Sequence, residues 1–323
     1  MIRRHFPAFL IACSALLFMR ATPAQEFPTR PVRLVVSFAP GGSVDVVARL
    51  IGQKLSEKWA QQVVVDNRPG AGGNLSAEIV AHAPADGHTL YLCSASFVVN
   101  PNLYGKTGYD PVGDFAPISL VALVQNVLVA HPPLPADSVR ALVALAKAKP
   151  GQINYASTGS GTSGHLVMEL FKSMARIDLV HVPYKVIGQA QSDLISGQVA
   201  LWFPTAPGAL PHINAGRMKA LAVAGARRSP ALPAVPTVSE AGVPGFEAST
   251  WYAMLAPART PRRIVERING DVVTILRQPD VQERLAGLGI EIVASSTEEL
   301  ARHLKSETPK WARVVKQSGA RVD

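Results

Sequence analysis

The fold is decided by residues 32–45, which read VRLVVSFAPGGSVD. The apolar and β-branched residues at the start of this stretch predict a buried strand, Val32–Phe38. Apolar residues that recur at helical spacing then predict a helix, Asp45–Trp59. The glycines fall in the turn between strand and helix, and Ser43 is the predicted N-cap of the helix.

This turn is a candidate anion-binding site. A helix N-terminus leaves backbone N–H groups without partners and carries a partial positive charge, so it attracts anions. Gly41 and Gly42 have no side chain that would block a ligand. The alternative interpretation is a plain tight connection. Asp45 would repel an anion at this helix end, so we expect its carboxylate to point away or to bind a water, rather than a ligand amine.

Strand and helix patterns alternate through the first part of the chain. After the first helix, a strand is predicted at Val63–Val65, a helix at Ser76–His82 and a strand at Thr89–Cys93. Such alternation predicts an α/β fold with a parallel sheet and right-handed crossovers. Ligands of such sheets bind at the carboxyl ends of the strands. Phe38, Asn67 and Ser94 close the three strands, so the loops that follow them should share one edge.

The pattern restarts at about residue 126 and predicts a second α/β unit that extends to about residue 250. The few elements after residue 250 are expected to complete the first sheet, so the chain should cross between two lobes twice, near 120–127 and 248–255. The predicted organisation is a signal peptide over residues 1–24, lobe 1 over residues 25–126 and 251–323, and lobe 2 over residues 127–250. Two lobes joined by two crossings form a hinged cleft.

The elements of lobe 2 and of the last part of the chain follow from the same patterns. The predicted strands of lobe 2 are Val127–Val129, Ile153–Ala156, Leu179–Tyr184, Val199–Phe203 and Lys219–Val223. The predicted helices of lobe 2 are Val139–Lys147, His165–Met174, Gln189–Ile195 and Pro211–Ala215. The last elements are the strands Thr250–Leu255 and Ile290–Val293, and the helices Ile264–Leu276, Val281–Leu288 and one that opens with Ser296 and runs past Trp311.

A second glycine-rich turn, Gly159–Gly164, also lies between a strand and a helix and fits the pattern G-x-G-x-x-G. A dinucleotide site would need an acidic residue at the end of the next strand, which ends instead in Pro183-Tyr184. The turn also lacks the G-x-S-x-G spacing of a nucleophile elbow. Its hydroxyl groups and backbone N–H groups are neutral donors that suit a carboxylate, and His165 follows them directly. Two such turns, one in each lobe, predict a ligand cleft.

Composition and the N-terminus indicate an exported protein with a large core. Hydrophobic residues make up 48% of the 323-residue chain and charged residues 17%, which excludes disorder. Residues 1–24 combine arginines, an apolar run and small residues before a cleavage point at Ala24, as secretory signals do. A lipoprotein box at Cys13 is a weaker alternative, because the apolar run continues past that cysteine. Removal of the three arginines in this segment lowers the formal charge from +9 to +6.

No motif predicts a metal site, a cofactor or a nucleic-acid interface. The histidines show no metal-binding spacing, and the basic residues are spread along the chain rather than grouped on one element. After cleavage only Cys93 would remain, so no intramolecular disulfide is expected. We therefore expect a small-molecule partner and no cofactor.

Several motifs together resemble one family, the periplasmic substrate-binding proteins of tripartite tricarboxylate transporters (Bug or TctC-like). They are Pro40–Arg49, Asn67–Gly73, Asn100–Tyr104, Tyr109–Pro111, Asn154–Ser157 with Gly161–Ser163, His181–Lys185 and Pro236–Gly242. The resemblance covers essentially the whole mature chain. It implies a monomeric type II periplasmic binding protein, a Venus flytrap with two parallel-type sheets, helices on both faces and two interdomain crossings. Such a protein closes on a small organic carboxylate and delivers it to integral membrane subunits.

In the family, two strand-to-helix loops hold the ligand carboxylate, and they correspond here to Phe38–Asp45 and Ser157–His165. The predicted ligand-binding residues are Phe38, Pro40, Gly41, Gly42, Ser43, Asp45, Ser94, Ser96, Asn100, Ser157, Thr158, Gly161, Thr162, Ser163, His165, Tyr184 and Thr205. The chain departs from the family at Val186, where glycine is frequent, and at Ala200 and Pro204, where Asp is frequent. The missing acids predict a ligand without a free amine, an aliphatic or aromatic mono- or dicarboxylate.

Two other functions remain as alternatives. A secreted hydrolase would use Ser163 and His165, but their spacing at a helix start is poor for a nucleophile and its base. A binding protein that serves an extracellular sensor would use the same closure as a transport protein, so the sequence does not separate the two.

Overall fold

The computed structural model describes residues 27–318, which form two β-sheets. The predicted signal peptide and Cys13 lie outside the described residues. Each sheet has one buried hydrophobic cluster on each of its faces, where helices cover it. The predicted α/β fold with two lobes is confirmed. Within residues 27–318, no helix has both the length and the apolar character needed to cross a membrane.

Lobe 1 is built on a six-stranded sheet of order β11-β4-β10-β3-β1-β2. Its strands are β1 (Val32–Val36), β2 (Val63–Asn67), β3 (Thr89–Ser94), β4 (Phe115–Gln125), β10 (Ser249–Pro257) and β11 (Ile290–Ile292). Its helices are α1 (Ser43–Trp59), α2 (Asn74–Ala81), α3 (Ser96–Tyr104), α8 (Arg262–Leu276), α9 (Pro279–Gly287) and α10 (Thr297–Ser318), with a 3-10 turn at Ala71–Gly73. Leu34, Ile51 and Leu55 are fully buried, and each contributes about 1.5–3 kcal/mol by leaving water.

Lobe 2 is built on a five-stranded sheet of order β7-β6-β8-β5-β9. Its strands are β5 (Val127–Ala130), β6 (Asn154–Ser157), β7 (Val180–Pro183), β8 (Leu201–Trp202) and β9 (Lys219–Val223). Its helices are α4 (Val139–Ala148), α5 (Ser163–Ala175), α6 (Ile187–Ser196) and α7 (Ala206–Asn214). Helices α4 and α5 pack on one face of this sheet and α6 and α7 on the other.

The sheets are mixed rather than uniformly parallel. The strand β1 pairs in parallel with β2 and β3, and β6 pairs in parallel with β7 and β8, as the strand–helix alternation predicts. In contrast, β10 is antiparallel to β3 and β4, and β5 is antiparallel to β8 and β9. The strands β5 and β10 follow the two crossings between the lobes, so no crossover helix sets their direction.

The two crossings between the lobes lie side by side. The strand β4 passes into β5 with only Asn126 between them, and Ala248 leads back into β10. Ala224 N donates to Asn126 O at 2.8 Å, and Ala248 N donates to Ala224 O at 2.8 Å. The two lobes are thus joined by a narrow pair of hydrogen-bonded segments.

Two elements of lobe 1 are absent from the sequence-based assignment, and both contain a proline. The strand β4 carries Pro117, which pairs with Leu255 directly after a register shift between Met254 and Leu255. The helix α3 contains Pro101. Proline argues against a strand or helix interior, so the patterns around both residues were not assigned to regular structure.

Candidate functional site

A cavity of about 790 Å³ lies between the two lobes. It is lined by loops at the carboxyl ends of β1, β2 and β3 in lobe 1 and of β6, β7 and β8 in lobe 2. The lobe 1 lining is Phe38, Ala39, Gly41–Val44, Val46, Pro69–Gly73, Ser94, Tyr104, Asn126, Tyr252 and Leu288. The lobe 2 lining is Thr158–Ser160, Thr162–Gly164, Pro183–Lys185, Ile187, Gln191, Trp202–Thr205, Pro207 and Gly208.

The helix α1 begins at the cavity. Its N-cap is Gly42, and the predicted N-cap Ser43 is instead its first helical residue. Gly42 has no side chain to cap the helix, so the first N–H groups of α1 have no side-chain cap. Gly41 has a φ of +83°, a conformation that glycine adopts without strain. The Ser43 hydroxyl hydrogen-bonds to the Tyr252 hydroxyl at 2.5 Å and across the cleft to Thr205 Oγ1 at 3.0 Å.

Asp45 does not line the cavity but holds the loop that does. Its side chain is buried, and it accepts hydrogen bonds from Gly41 N at 2.9 Å, Arg49 Nε at 2.9 Å and Asn67 Nδ2 at 3.0 Å. Burial alone would raise the pKa of Asp45, but the hydrogen bonds from these three donors and the charge of Arg49 hold that pKa below its usual value. The carboxylate therefore stays ionised and points away from the cavity, as predicted.

The helix α5 begins at the opposite side of the cavity. Its N-cap is Thr162, whose Oγ1 donates to Gly159 O at 2.8 Å instead of capping the helix. The other polar groups of this turn stabilise it from behind. Ser157 Oγ lies 2.6 Å from His181 Nε2, and Gly161 N donates to His165 Nδ1 at 3.2 Å. The first N–H groups of α5 are therefore presented by a rigid turn without a side-chain cap.

A third helix, α7, also begins at the cavity, with Thr205 as its N-cap. The sequence predicted only a short helix at Pro211–Ala215. The first turn of α7 was not predicted because Pro204 and Pro207 lie there and proline is unfavourable inside a helix. In the first turn, however, proline is a signal that a helix begins. Three helix N-termini, one from lobe 1 and two from lobe 2, thus meet at one cavity.

Ten of the predicted site residues line the cavity and seven do not. Those that line it are Phe38, Gly41, Gly42, Ser43, Ser94, Thr158, Thr162, Ser163, Tyr184 and Thr205. Those outside the lining are Pro40, Asp45, Ser96, Asn100, Ser157, Gly161 and His165. Pro40 faces solvent, and the other six support the lining loops from behind.

The supporting role is clearest for Asn100, Ser96 and Gly161. Asn100 is fully buried, and its Nδ2 donates to Gly72 O at 3.0 Å and to Asn74 Oδ1 at 2.9 Å. Ser96 Oγ lies 2.9 Å from Ser94 Oγ. Gly161 packs so closely on lobe 1 that a Cβ there would lie 2.7 Å from Asn100 Oδ1. These residues fix the loops without facing the cavity.

The sequence reasoning missed part of the lining. The loop Pro69–Gly73 follows the strand that closes at Asn67, so the sequence placed it at the ligand edge of the sheet, but none of its residues was predicted to bind the ligand. Tyr104, which lines the cavity, also spans the cleft, because its hydroxyl donates to Ser160 O at 2.9 Å. Asn126 and Trp202 line the cavity too, but a lone Asn or Trp carries no sequence signal.

The cavity contains no acidic side chain among the residues that line it. Lys185, which is exposed, is the only charged side chain in that lining within residues 27–318. Burial, followed by the hydrogen bond to Asp193, raises the pKa of Tyr184 to about 12. Burial likewise raises the pKa of Tyr252, so both hydroxyls are neutral. Neutral donors, helix N-termini and one cation suit an anionic ligand.

The described part of the chain shows no cluster of three or more His, Cys, Asp or Glu side chains that could hold a metal. The pair considered for hydrolysis is split by the structure. Ser163 lines the cavity, whereas His165 is only 3% exposed and packs 4.4 Å from the His181 ring.

Comparisons with known proteins give one consistent result. The model of the family described as "Tripartite tricarboxylate transporter family receptor" matches residues 47–320. The structure of R. palustris Rpa4515 with adipate is 38% identical in sequence and has a TM-score of 0.88, covering 92% of this chain and 100% of that chain.

Two further solved structures are similar. The periplasmic binding protein BugD is 34% identical with a TM-score of 0.86, covering 92% of this chain and 100% of that chain. MatC from Rhodopseudomonas palustris, with bound malate, is 34% identical with a TM-score of 0.84, covering 90% of this chain and 100% of that chain. The predicted periplasmic-binding-protein fold is confirmed, and these solute-binding proteins are consistent with a chain that is not an enzyme.

Proposed function

Because the chain belongs to the tripartite tricarboxylate transporter receptor family, as its motifs predicted, we propose that it is a solute-binding protein that captures a small organic carboxylate between its lobes. The observation that carries this proposal is the convergence of α1, α5 and α7 on a cavity without acidic lining residues. The adipate and malate found in similar structures support the same ligand class.

The electrostatics of the cavity favour a carboxylate over a cation or a neutral ligand. The uncapped N–H groups at each helix start act as partial positive charges, and each favourable anion contact of this kind contributes about 0.3–1 kcal/mol or more when partly buried. Charge-assisted hydrogen bonds from backbone N–H groups to a carboxylate are stronger than those to a neutral oxygen. The exposed Lys185 adds a positive field at the cavity without a buried charge to desolvate.

Closure of the lobes follows from the contacts across the cleft. Ser43 meets Thr205, Tyr104 meets Ser160, and Arg227 lies 3.4 Å from Glu291. Within the described residues, the chain itself passes between the lobes only at the crossings near Asn126 and Ala248. We propose that lobe 1 (residues 25–126 and 251–323) and lobe 2 (residues 127–250) hinge about these crossings, and that a ligand in contact with both lobes stabilises the closed form.

The proposal extends to location and partners. The predicted signal peptide and the family support a periplasmic protein that delivers its ligand to integral membrane subunits of a tripartite transporter. We propose that it does so as a monomer. Neighbouring genes for one large and one small membrane subunit would support transport rather than a sensor role. If a strain that lacks this protein still takes up the bound carboxylate as the wild type does, the transport role is contradicted.

The ligand is proposed to lack a free amine. An ammonium group needs a carboxylate partner when it leaves water, and no acidic side chain lines the cavity. Of the two positions at which an acid was considered, Pro204 follows β8 and lines the cavity, whereas Ala200 precedes β8 and does not line it.

A thermal-shift screen against a carboxylate library, followed by calorimetric titration, tests both points. We expect amine-free mono- or dicarboxylates to raise the melting temperature and to bind at least about tenfold more tightly than aspartate or glutamate, a difference that corresponds to one lost charge contact. The primary amide of the best ligand serves as a control and should not bind. If aspartate or glutamate binds tightly and no amine-free acid binds, the proposal is contradicted.

A further inference from the structure

The side chain of Trp202 lines the cavity at the end of β8, and it is only 3% exposed. Its Nε1 lies 3.9 Å from the position that a Cβ would occupy at Gly164, the second residue of α5. Within residues 27–318, no hydrogen bond joins this indole N–H to another residue, and Nε1 is not one of the inaccessible polar atoms that lack a partner. The N–H therefore opens on the cavity, where a water or a ligand can accept its hydrogen bond. It is free to donate to a ligand beside the start of α5.

Gly164 brings this donor and the helix together. A Cβ at this residue would lie 2.8 Å from Phe203 O, so only glycine permits α5 to approach the end of β8 so closely. The first N–H groups of α5 and the indole N–H of Trp202 thus lie at the same end of the cavity. Together they form a neutral donor cluster for one carboxylate, and the partly buried indole supports the helix N-terminus as a binding site.

The rest of the cavity wall is large and mostly apolar. Its side chains include Phe38, Tyr104, Ile187, Pro207 and Leu288. A volume of about 790 Å³ lies in the upper part of the range in which pockets enclose drug-sized ligands. A slender aliphatic chain would leave much of this wall in contact with water, whereas a ring would displace that water and gain hydrophobic free energy.

We propose that the preferred ligand is a carboxylate that carries an aromatic ring, and that Trp202 determines this specificity by donating its indole N–H to the carboxylate beside the start of α5. The ring of the ligand packs on the apolar wall, and the exposed Lys185 remains at the cavity for any second anionic group. This inference rests on the proposed function, since it names the ligand class and one binding residue of the same cleft.

The first arm of the test compares ligands on the wild-type protein. Calorimetric titration with 3-phenylpropionate, with the aliphatic dicarboxylate pimelate and with the neutral 3-phenylpropanol separates the ring from the carboxylate. We expect 3-phenylpropionate to bind at least about tenfold more tightly than pimelate, and 3-phenylpropanol not to bind. Equal or tighter binding of pimelate would overturn the aromatic preference but leave the proposed function intact. Failure of every carboxylate to bind would overturn both.

The second arm tests Trp202 with a matched substitution. Trp202→Phe keeps an aromatic ring but removes the N–H, and we expect it to weaken 3-phenylpropionate binding about tenfold, the loss typical of one hydrogen bond to a charged group. Trp251→Phe is the control, because the Trp251 N–H donates to Glu307 at 3.1 Å and its side chain does not line the cavity. The control should bind like the wild type. Unchanged affinity in Trp202→Phe would overturn the assignment.

A measurement on the wild-type protein covers the case in which Trp202→Phe does not fold. The chain has four tryptophans, so ¹⁵N-labelled protein gives few indole N–H resonances. We expect one of them to shift strongly downfield when 3-phenylpropionate is added, because a carboxylate acceptor deshields the indole proton. No indole shift at saturating ligand would overturn the role of Trp202.

Discussion

Gly42→Asp should abolish ligand-induced thermal stabilisation while leaving the folded protein intact. The backbone at Gly42 has φ of −74° and ψ of 162°, which an L-residue adopts without strain, and a Cβ would meet Ala39 O and Ile187 Cδ1 at an ordinary 3.5 Å. Aspartate is also a favoured N-cap, so α1 itself should gain stability. The new carboxylate, however, would accept hydrogen bonds from the first N–H groups of α1 and would repel an anionic ligand. We expect affinity to fall by about 100-fold or more.

The measurement is a thermal-shift titration of Gly42→Asp with the tightest-binding carboxylate. Gly42→Ala controls for the added volume and should bind close to wild type. Gly270→Asp controls for the added charge, since Gly270 is an exposed residue of α8 with open space around its Cβ position. Ligand-induced stabilisation in Gly42→Asp equal to that of the controls would exclude the start of α1 from the binding site.

Asp45→Ala should destabilise the protein by about 2 kcal/mol and weaken ligand binding as well. The substitution leaves the partly buried hydrogen bonds of Gly41 N and Asn67 Nδ2 without their acceptor and removes a negative charge from the first turn of α1. Arg49 is largely exposed and can pair with water, so its lost ion pair adds little. Binding should weaken because the Gly41 turn is no longer held in place.

The pH dependence of this effect follows from the depressed pKa of Asp45. A carboxylate with a folded-state pKa below its ordinary 3.8 stabilises the fold above that pH and loses its contribution as the pH falls through the folded-state value. The free energy of unfolding, measured in urea, should therefore be higher for the wild type than for Asp45→Asn by a constant amount above about pH 5. This difference should become smaller below about pH 4. Glu283→Gln, at an exposed position of α9, is the control. A difference that does not change between pH 7 and pH 3 would contradict this role of the Asp45 charge.

The sequence predicted the fold where local patterns and tertiary structure agree. The prediction is correct for the strand Val32–Val36, the glycine turn after it and the helix that ends at Trp59. A β-branched apolar run favours a strand, and apolar residues at helical spacing favour a helix. The strand β4 and the helix α3 were missed because tertiary pairing tolerates Pro117 beside a register shift and Pro101 within a helix. Local propensity alone does not show such compensation.

The candidate site was predicted at the level of loops but not of individual side chains. A strand-to-helix turn has residues that face the cavity and residues that support it, and both kinds are polar or glycine. Asp45 and His165 were assigned to ligand binding, yet the first pairs with Arg49 and the second accepts from Gly161 N. Trp202 lines the cavity only because α5 approaches β8 at Gly164, a contact between elements that no local pattern encodes.

The central claim is that backbone N–H groups of helices from both lobes hold one carboxylate ligand in the cleft. A crystal structure of the protein with its tightest-binding carboxylate tests this claim most directly. We predict that the ligand lies between the starts of α1 and α5 and that its carboxylate oxygens accept hydrogen bonds from backbone N–H groups of both helices. A ligand outside the cleft, or a carboxylate held by Lys185 with no backbone N–H contact, would contradict the claim.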